Sequence, residues 1–175
     1  MRDLVYSVAT SLDGFIAGPD GEYDWIIHDP TIDFDEIFRQ FDTAIMGRVC
    51  YEGMLRLGRS PRELGMKTYV VSTTLDAAEH PAVSIVPAGL AETVRDLKRK
   101  SGKSIWLFGG GITFRSLLDA GLVDRVEVSI IPILLGGGVP VVPPGRRWPL
   151  NFRDSRTFPS GIVSLTYCTT PQPPI

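Results

Sequence analysis

Three consecutive glycines stand out as residues that could take part in chemistry. Gly109, Gly110 and Gly111 lie between an apolar run at 104–108 and a helical pattern that begins at Ile112. Glycine lets the backbone approach a ligand closely, and free N–H groups at a helix start attract an anion such as a pyrophosphate. The spacing matches neither G-x-G-x-x-G nor a P-loop. The run therefore predicts either an anion-binding turn or a tight turn that binds nothing.

Two further strand ends carry groups suited to a phosphate or a ribose. Gly47 and Arg48 follow an apolar run at 43–46 and open a second predicted helix. A cation at a helix start opposes the helix dipole, so it is unfavourable there unless an anion shares the position. Ser72 and Thr73 end another strand and either hold a phosphate or ribose or form a polar turn. Ligands of open α/β sheets lie beyond such strand ends.

Asp13 and Asp33 are the candidate catalytic carboxylates. Asp13 lies in a Ser-Leu-Asp-Gly turn at 11–14, where it is either a turn residue or an active-site group. Asp33 precedes Glu36 by three residues, a capping-box spacing. Asp33 is therefore either a helix cap or a partner or proton donor for the substrate.

The remaining polar clusters do not predict a metal site or a covalent nucleophile. His28, Asp29, Asp33 and Asp35 lie close together in sequence, but their spacing matches no metal-binding loop. Cys50 and Cys168 are too few and too far apart for a zinc site or a disulfide framework. We expect two thiols in a reducing cytoplasm.

Composition restricts the class of protein further. The chain has 175 residues, of which 43% are apolar and 22% charged, and its formal net charge is −2. A nucleic-acid-binding protein normally presents a basic face, so we expect no nucleic-acid partner. The longest apolar stretch, 130–142, is interrupted by prolines and glycines and is too short to span a bilayer. The N-terminus lacks the apolar core of a signal peptide, so a cytoplasmic protein is expected.

Strand and helix signals alternate along the chain, which predicts an α/β fold. An apolar face of Phe34, Ile37, Phe38 and Phe41 predicts a helix that begins at Asp33. Further helices are expected at 90–100 and from the glycine run to about 118. The predicted strands are 4–9, 43–46, 67–72, 83–86, 104–108 and 123–131, and a C-terminal hairpin pairs 152–158 with 162–168. We expect one domain at 1–170 and a disordered proline-rich tail at 171–175.

Five motifs in this order resemble one known family. They are Ser-Leu-Asp-Gly-Phe-Ile-Ala at 11–17, Met-Gly-Arg at 46–48, Tyr-Val-Val-Ser at 69–72, Phe-Gly-Gly-Gly at 108–111 and the strand and Pro-Ile-Leu-Leu-Gly-Gly-Gly loop at 126–138. Together they resemble the dihydrofolate reductase-like family, and within it the RibD C-terminal domain of riboflavin biosynthesis, over residues 3–168. The resemblance implies a twisted, mostly parallel sheet flanked by helices, a C-terminal antiparallel hairpin, and NADPH as the hydride donor.

The resemblance also implies a set of cofactor-binding residues along the strand ends. Those expected at the adenosine 2′-phosphate are Arg48, Ser72 and Thr73, although Arg48 could instead pair with a neighbouring carboxylate. Those expected at the pyrophosphate are Gly110, Gly111, Ile112 and Thr113, with Gly47 and Gly109 beside them. Those expected to flank the nicotinamide are Ala9 and Ile16.

Two positions bear on the substrate that the resemblance implies. Folate reductases carry a carboxylate on the first helix that pairs with the pterin, and Thr31 occupies that position here. Riboflavin enzymes usually carry a basic residue after Ser-Leu-Asp-Gly, and this chain has Phe15. We predict an NADPH-dependent reductase of a C=O or C=N bond in a small heterocycle, similar to 5-amino-6-(5-phosphoribosylamino)uracil reductase. The alternatives are a dihydrofolate or pteridine reductase and a non-catalytic nucleotide-binding module.

The C-terminal strand also predicts self-association. Val163, Leu165 and Tyr167 alternate with polar residues in a strand expected near the edge of the sheet. A sheet edge with this apolar content is usually covered, and riboflavin-type relatives are commonly dimers. We therefore expect a homodimer.

Overall fold

The computed structural model describes residues 1–170, so the predicted tail at 171–175 lies outside the described residues. The strands are β1 (Leu4–Ser11), β2 (Phe15–Ala17), β3 (Phe41–Gly47), β4 (Lys67–Val71), β5 (Ser84–Val86), β6 (Ser104–Gly109), β7 (Arg125–Ile131), β8 (Val139–Pro140), β9 (Leu150–Thr157) and β10 (Val163–Thr169). The α-helices are α1 (Phe34–Phe38), α2 (Arg48–Arg56), α3 (Leu90–Arg99) and α4 (Gly111–Asp119). A short 3₁₀ helix spans Pro61–Leu64.

One eight-stranded sheet has the order β5-β4-β3-β6-β1-β7-β10-β9. The strands from β5 to β7 run parallel, whereas β10 is antiparallel to both β7 and β9. Strands β2 and β8 form a separate antiparallel pair. The predicted α/β architecture, with its mostly parallel sheet and C-terminal hairpin, is confirmed.

The two faces of the sheet are packed differently. The face that carries Leu4, Tyr6 and Leu107, here called the core face, packs against α3 and α4 in one cluster of fully buried side chains. The Tyr6 ring stacks on Phe114 with 3.8 Å between ring centroids, and its hydroxyl donates to the Val141 carbonyl at 2.9 Å. The opposite face, here called the cleft face, packs against α1 and α2 over only part of its width.

A buried lysine ties α3 to the strand that follows α4. The Nζ atom of Lys98 donates to the Leu122 carbonyl at 2.9 Å and pairs with the Asp124 carboxylate. Only 5% of the Lys98 side chain is exposed, and an ammonium group that is buried needs such partners. This contact fixes the position from which β7 starts.

The first helix is shorter than its apolar periodicity predicts. It ends at Phe38, and Phe41 is the first residue of β3, where it pairs with Ser104 and packs 5.8 Å from the Trp106 ring. Strand pairing with β6 therefore overrides the helical spacing, and the prediction that Phe41 belongs to the helix is wrong. The prediction that Asp33 caps this helix is confirmed, because its carboxylate accepts a hydrogen bond from the Glu36 amide at 2.8 Å.

The C-terminal strand is one position away from the edge of the sheet. β10 lies between β7 and β9, so the edge strand is β9, and every residue of β9 is exposed. Within residues 1–170, no helix has the length and apolar character that crossing a membrane requires.

Candidate active site

The predicted cofactor-binding residues lie along one edge of the sheet. The neighbouring strands β4, β3, β6 and β1 end beside one another, and the register pairs Gly47 with Val71 and Met46 with Gly109. Ser72, Gly47 and Gly109 therefore mark three consecutive strand ends, and Ala9 lies on the fourth strand. With strands about 4.8 Å apart, this row spans roughly 14 Å. An extended ligand could lie across it.

Two helices begin side by side at this edge with their backbone N–H groups available. Gly47 is the N-cap of α2 and Gly110 is the N-cap of α4, and neither helix start has a side-chain cap. In α4 the first helical bond runs from the Phe114 amide to the Gly110 carbonyl at 2.9 Å. The three preceding amides lack helical partners. Two positive helix ends in one place suit a doubly charged anion.

The glycines at this edge leave little room for side chains. Gly110 has a φ of +94°, a conformation that L-residues rarely adopt. A Cβ on Gly47 would lie 3.0 Å from the hydroxyl of Thr113, and a Cβ on Gly110 would lie 3.4 Å from the same atom. Thr113 is buried between them. This bare backbone surface fits the phosphates of a dinucleotide.

Gly111 is glycine for a different reason. A Cβ there would lie 2.8 Å from the Pro140 carbonyl oxygen and 3.3 Å from the Val141 carbonyl oxygen. The chain itself therefore fills the space beside Gly111. Packing against the segment around β8 explains this residue without a ligand.

Arg48 is exposed at the first position of α2 and pairs with a carboxylate on the same helix. One guanidinium nitrogen donates to both oxygens of Glu52, at 2.8 and 3.0 Å. The Arg48 side chain is 44% exposed, and ion pairs this exposed contribute little to stability. The ion pair that the sequence left open is thus present, and it leaves the guanidinium beside the start of α2.

The two hydroxyl residues after β4 differ in their availability. Ser72 is buried, and its Oγ accepts hydrogen bonds from the amides of Thr74 and Leu75, both at 3.1 Å. Its hydroxyl therefore closes the turn after β4. Thr73 is exposed and presents its side chain to solvent.

The three apolar residues predicted at the cofactor lie in different settings. Ile112 is 80% exposed on the first turn of α4. Ala9 packs beside a cluster formed by Ile131, Phe158 and Ile162. Ile16 lies in β2, which pairs with β8 along the same end of the sheet.

Asp13 joins the turn after β1 to the glycine-rich loop after β7. Its carboxylate accepts hydrogen bonds from the amides of Leu135 at 3.1 Å and Gly136 at 2.7 Å. A hydrogen bond from Ser11, together with these two amides, lowers the pKa of Asp13 to about 2. Asp13 is therefore ionised at neutral pH and holds the loop. The other candidate carboxylate, Asp33, is exposed and occupied as a helix cap.

Sequence reasoning missed the anchoring role of Asp29, which is only 1% exposed. Its carboxylate accepts from the Thr31 amide at 2.8 Å, the Thr31 hydroxyl at 2.6 Å and the Ser160 amide at 2.9 Å. Hydrogen bonds from Ser160 and then Thr31 hold its pKa well below the usual value. The Asp-Pro-Thr spacing signals a local Asx turn. The contact with Ser160, 131 positions away, has no local signal.

A polar row on the cleft face was also missed. Ser7 on β1 and Thr166 on β10 flank Glu127 on β7 in the strand register. Ser129 lies two residues further along β7, where its hydroxyl is 2.8 Å from that of Ser164. Burial raises the pKa of Glu127, while Arg125 and Ser7 lower it in part. Alternation of polar and apolar residues at 126–130 is the sequence signal that could have identified this row.

No metal-binding cluster is formed by the described residues. Across 1–170, no three His, Cys, Asp or Glu side chains come together in a way that could hold a metal ion. Cys50 and Cys168 are both half-buried and free.

Comparison with known proteins finds one family over nearly the whole chain. The family model described as RibD C-terminal domain matches residues 2–164. The uncharacterized protein YyaP of Bacillus subtilis is 34% identical over 178 residues, which covers 95% of this chain and 94% of YyaP.

Solved structures give a consistent result. A protein of Shewanella sp. PV-4, whose name assigns it by inference to riboflavin biosynthesis, has a TM-score of 0.82 and 27% identity, covering 97% of this chain and 99% of that one. Dihydrofolate reductase from Enterococcus faecalis, complexed with NADP(H), has a TM-score of 0.69 and 19% identity, covering 96% of each chain. The second similarity shows a shared fold.

Proposed function

The chain belongs to the RibD C-terminal domain family, and on this basis we propose that it is an NADPH-dependent reductase of a small heterocyclic substrate. The family and its structural neighbours support a reductase. NADPH, when bound, supplies the hydride that reduces a C=O or C=N bond. The role of the protein is to bind the cofactor, orient it and hold the acceptor beside it.

One observation carries this proposal: two uncapped helix starts and three glycine-bearing or hydroxyl-bearing strand ends share one edge of the sheet. We assign the pyrophosphate to the amides of Gly111, Ile112 and Thr113, beside Gly47, Gly109 and Gly110. We assign the 2′-phosphate to Arg48 and Thr73, with Ser72 shaping their turn. The nicotinamide would lie beside Ala9 and Ile16, at the β1 end of the row.

We propose NADPH rather than NADH because the start of α2 suits the additional 2′-phosphate of NADPH. Arg48 lies at a helix start, where its own charge is unfavourable, and a phosphate there would be stabilised by both the guanidinium and the helix end. The dihydrofolate reductase with the same fold was solved with NADP(H). The exposure of Arg48 leaves its side chain free to turn from Glu52 to such an anion.

The acceptor that the family favours is 5-amino-6-(5-phosphoribosylamino)uracil, and dihydrofolate or another pteridine is the second candidate. The direct test follows the absorbance of NADPH at 340 nm with each compound. We expect oxidation of NADPH with at least one of them. NADPH binding without oxidation by either class would instead support the non-catalytic nucleotide-binding module.

Asp13 and Asp33 are the two carboxylates considered for proton delivery to the reduced bond. Asp13 and Asp33 stay predictions as catalytic carboxylates. Asp13 is ionised at neutral pH and already accepts two amide hydrogen bonds. It is therefore better suited to holding the loop than to donating a proton. Asp33 is exposed, so it can exchange protons with solvent.

We also propose that the protein is a homodimer that buries the core face of its C-terminal hairpin. Apolar side chains project there from three adjacent strands, and Phe152 is 58% exposed. The other members of this hairpin patch are Val128, Val163, Leu165 and Tyr167, all half-buried. Light scattering should give twice the 19.2 kDa chain mass, and Phe152→Asp should give the single mass. A wild-type monomer at micromolar concentration would contradict the dimer.

The same proposal includes a cytoplasmic location. NADPH and two free, half-buried cysteines both suit a reducing compartment. Labelling of both thiols in freshly lysed cells, without prior reduction, is the expected result.

A further inference from the structure

The cleft face contains a polar row where its neighbours are apolar. On one side of the row, Val5, Phe41 and Trp106 form a buried cluster. On the other side, Ile131 belongs to a second cluster that also includes Trp25 and Ile32. Between them the strand register places Ser7, Glu127 and Thr166 at one level, and Ala9, Ser129 and Ser164 at the next.

The chain crosses this face and leaves the polar row partly exposed. Trp25 and Ile32 pack near the hairpin turn, where Asp29 accepts a hydrogen bond from the Ser160 amide. Further along, Phe38 of α1 packs on Trp106 with 5.2 Å between ring centroids. The segment 25–38 therefore contacts the sheet on both sides of the polar row. Along this stretch, large apolar side chains stay exposed, among them Ile27 at 43% and Phe34 at 44%.

Glu127 is not simply part of a solvated sheet face. Its side chain is 23% exposed, whereas Asp154, which lies on the same face two strands away, is an exposed residue of the edge strand. A carboxylate that is largely removed from water needs hydrogen-bond or ion-pair partners to offset its lost hydration. The partners of Glu127 within the chain offset only part of this cost.

The nearest cation leaves the carboxylate incompletely satisfied. Arg125 Nε lies 3.6 Å from a carboxylate oxygen of Glu127, which is longer than a hydrogen bond. Among the described residues, that buried nitrogen has no hydrogen-bond partner at all. On the cleft face, the Glu127 carboxylate and the Arg125 Nε–H group can therefore each form a further hydrogen bond.

From this juxtaposition we propose that Glu127 is a specificity-determining residue, which selects a flat heterocycle whose edge presents amino and ring N–H donors. The inference rests on the proposed function, because it places the substrate one pleat away from Ala9, where the nicotinamide would lie. A carboxylate and a pair of parallel N–H donors form a charge-assisted, bidentate contact. The partly buried side chains of the segment above, Trp25, Ile32 and Phe38, would contact the ring.

The test compares two probes: 2,4-diamino-6,7-dimethylpteridine, which presents a ring N–H beside its 2-amino group once N1 is protonated, and its 2,4-dioxo analogue, in which a carbonyl separates the two ring N–H groups. Binding to the full-length protein is followed by the fluorescence of the pteridine. We expect the wild type to bind the diamino probe at least 10-fold more tightly. Glu127→Gln should weaken binding of the diamino probe by about 10- to 100-fold and change binding of the dioxo probe little, because a hydrogen bond to a charged group is lost.

Asp154→Asn is the matched control, since it removes a carboxylate from the same register level roughly 10 Å away. It should leave both affinities unchanged. The inference would be overturned if the wild type did not bind the diamino probe or bound both probes equally. It would also be overturned if Glu127→Gln and Asp154→Asn had equal effects.

NADPH titrations of the same samples separate this inference from the proposed function. If NADPH binds equally to wild type and Glu127→Gln while the pteridine preference is missing, only the role of Glu127 is wrong. If NADPH does not bind the wild type, the proposed function fails whatever the pteridines do.

Discussion

The two parts of the candidate site are built from different groups. The edge proposed to hold the cofactor, here called the cofactor edge, is made of backbone: glycines at strand ends and the free amides of two helix starts. The polar row on the cleft face is made of side chains, with Glu127, Ser7 and Ser129 contributed by neighbouring strands. Backbone amides recognise phosphate whatever the rest of the ligand, whereas side chains can change without altering the fold. One part can therefore keep a common cofactor while the other changes its substrate.

The two parts also differ in how they are held in place. The edge is rigid because β3 and β6 are central strands with fully buried residues such as Ile45 and Leu107. The segment 25–38 over the cleft face is held by the packing of Trp25, Ile32 and Phe38 and by the Asp29 carboxylate at the hairpin turn. We expect substitutions at the edge to abolish cofactor binding. Substitutions that loosen this segment should lower the stability of the fold without changing the affinity for the cofactor.

The largest effect is expected from Gly110→Val. A branched side chain at a φ of +94° is strained, and its methyl groups would occupy the space beside Thr113 that is proposed for the phosphates. NADPH affinity should fall by about 100-fold or more, equivalent to about 2.8 kcal/mol. The measurement is a fluorescence titration with NADPH.

Gly121→Val is the matched control for backbone strain. Gly121 also has a positive φ, +67°, but no atom lies within 4 Å of where its Cβ would be. Its variant should lose stability and keep NADPH affinity. If Gly110→Val folds and binds NADPH as the wild type does, the glycine run is only a tight turn.

Arg48→Ala should separate the two cofactors. Loss of a charge-assisted contact with the 2′-phosphate costs about 1.5–3 kcal/mol, so NADPH should bind about 10- to 100-fold more weakly. NADH lacks this phosphate and should change little. Arg56→Ala is the control, because Arg56 is an exposed arginine at the other end of the same helix. Equal losses for NADPH and NADH would show that Arg48 does not recognise the phosphate.

Asp29→Asn should damage the segment over the cleft and leave the edge intact. The new amide places an N–H group against donors from Thr31 and Ser160, so we expect the melting temperature to fall by a few degrees with NADPH affinity unchanged. Asp33→Asn is the control, because asparagine caps helices about as well as aspartate. A parallel loss of NADPH affinity in Asp29→Asn would show that the two parts are not independent.

The effect of Asp29→Asn should also depend on pH. Because the folded-state pKa of Asp29 lies below its ordinary value of 3.8, the ionised carboxylate stabilises the fold above that value. This stabilisation is lost as the pH falls through the lower, folded-state pKa. The difference in melting temperature between wild type and variant should therefore be constant near neutral pH and shrink on acidification. A constant difference throughout would contradict the role given to the Asp29 carboxylate.

The difference between the cofactor edge and the cleft face also explains which parts of the site could be predicted from the sequence. Glycine runs and apolar strands are local signals, so the positions of most strands along the chain and the edge with Gly47 and Gly110 followed from them. Phe41 was misplaced because its pairing with Ser104 is a tertiary contact. Glu127 and Asp29 were missed as site residues because their neighbours, Ser7 and Ser160, lie more than 100 positions away in the chain.

The most direct test of the central claim is a titration of the wild-type protein with NADPH and with NADH, followed by nicotinamide fluorescence. The cofactor edge predicts saturable binding of one NADPH per chain, with NADPH at least 10-fold tighter than NADH. Failure of NADPH to bind, or equal affinity for the two dinucleotides, would contradict the account.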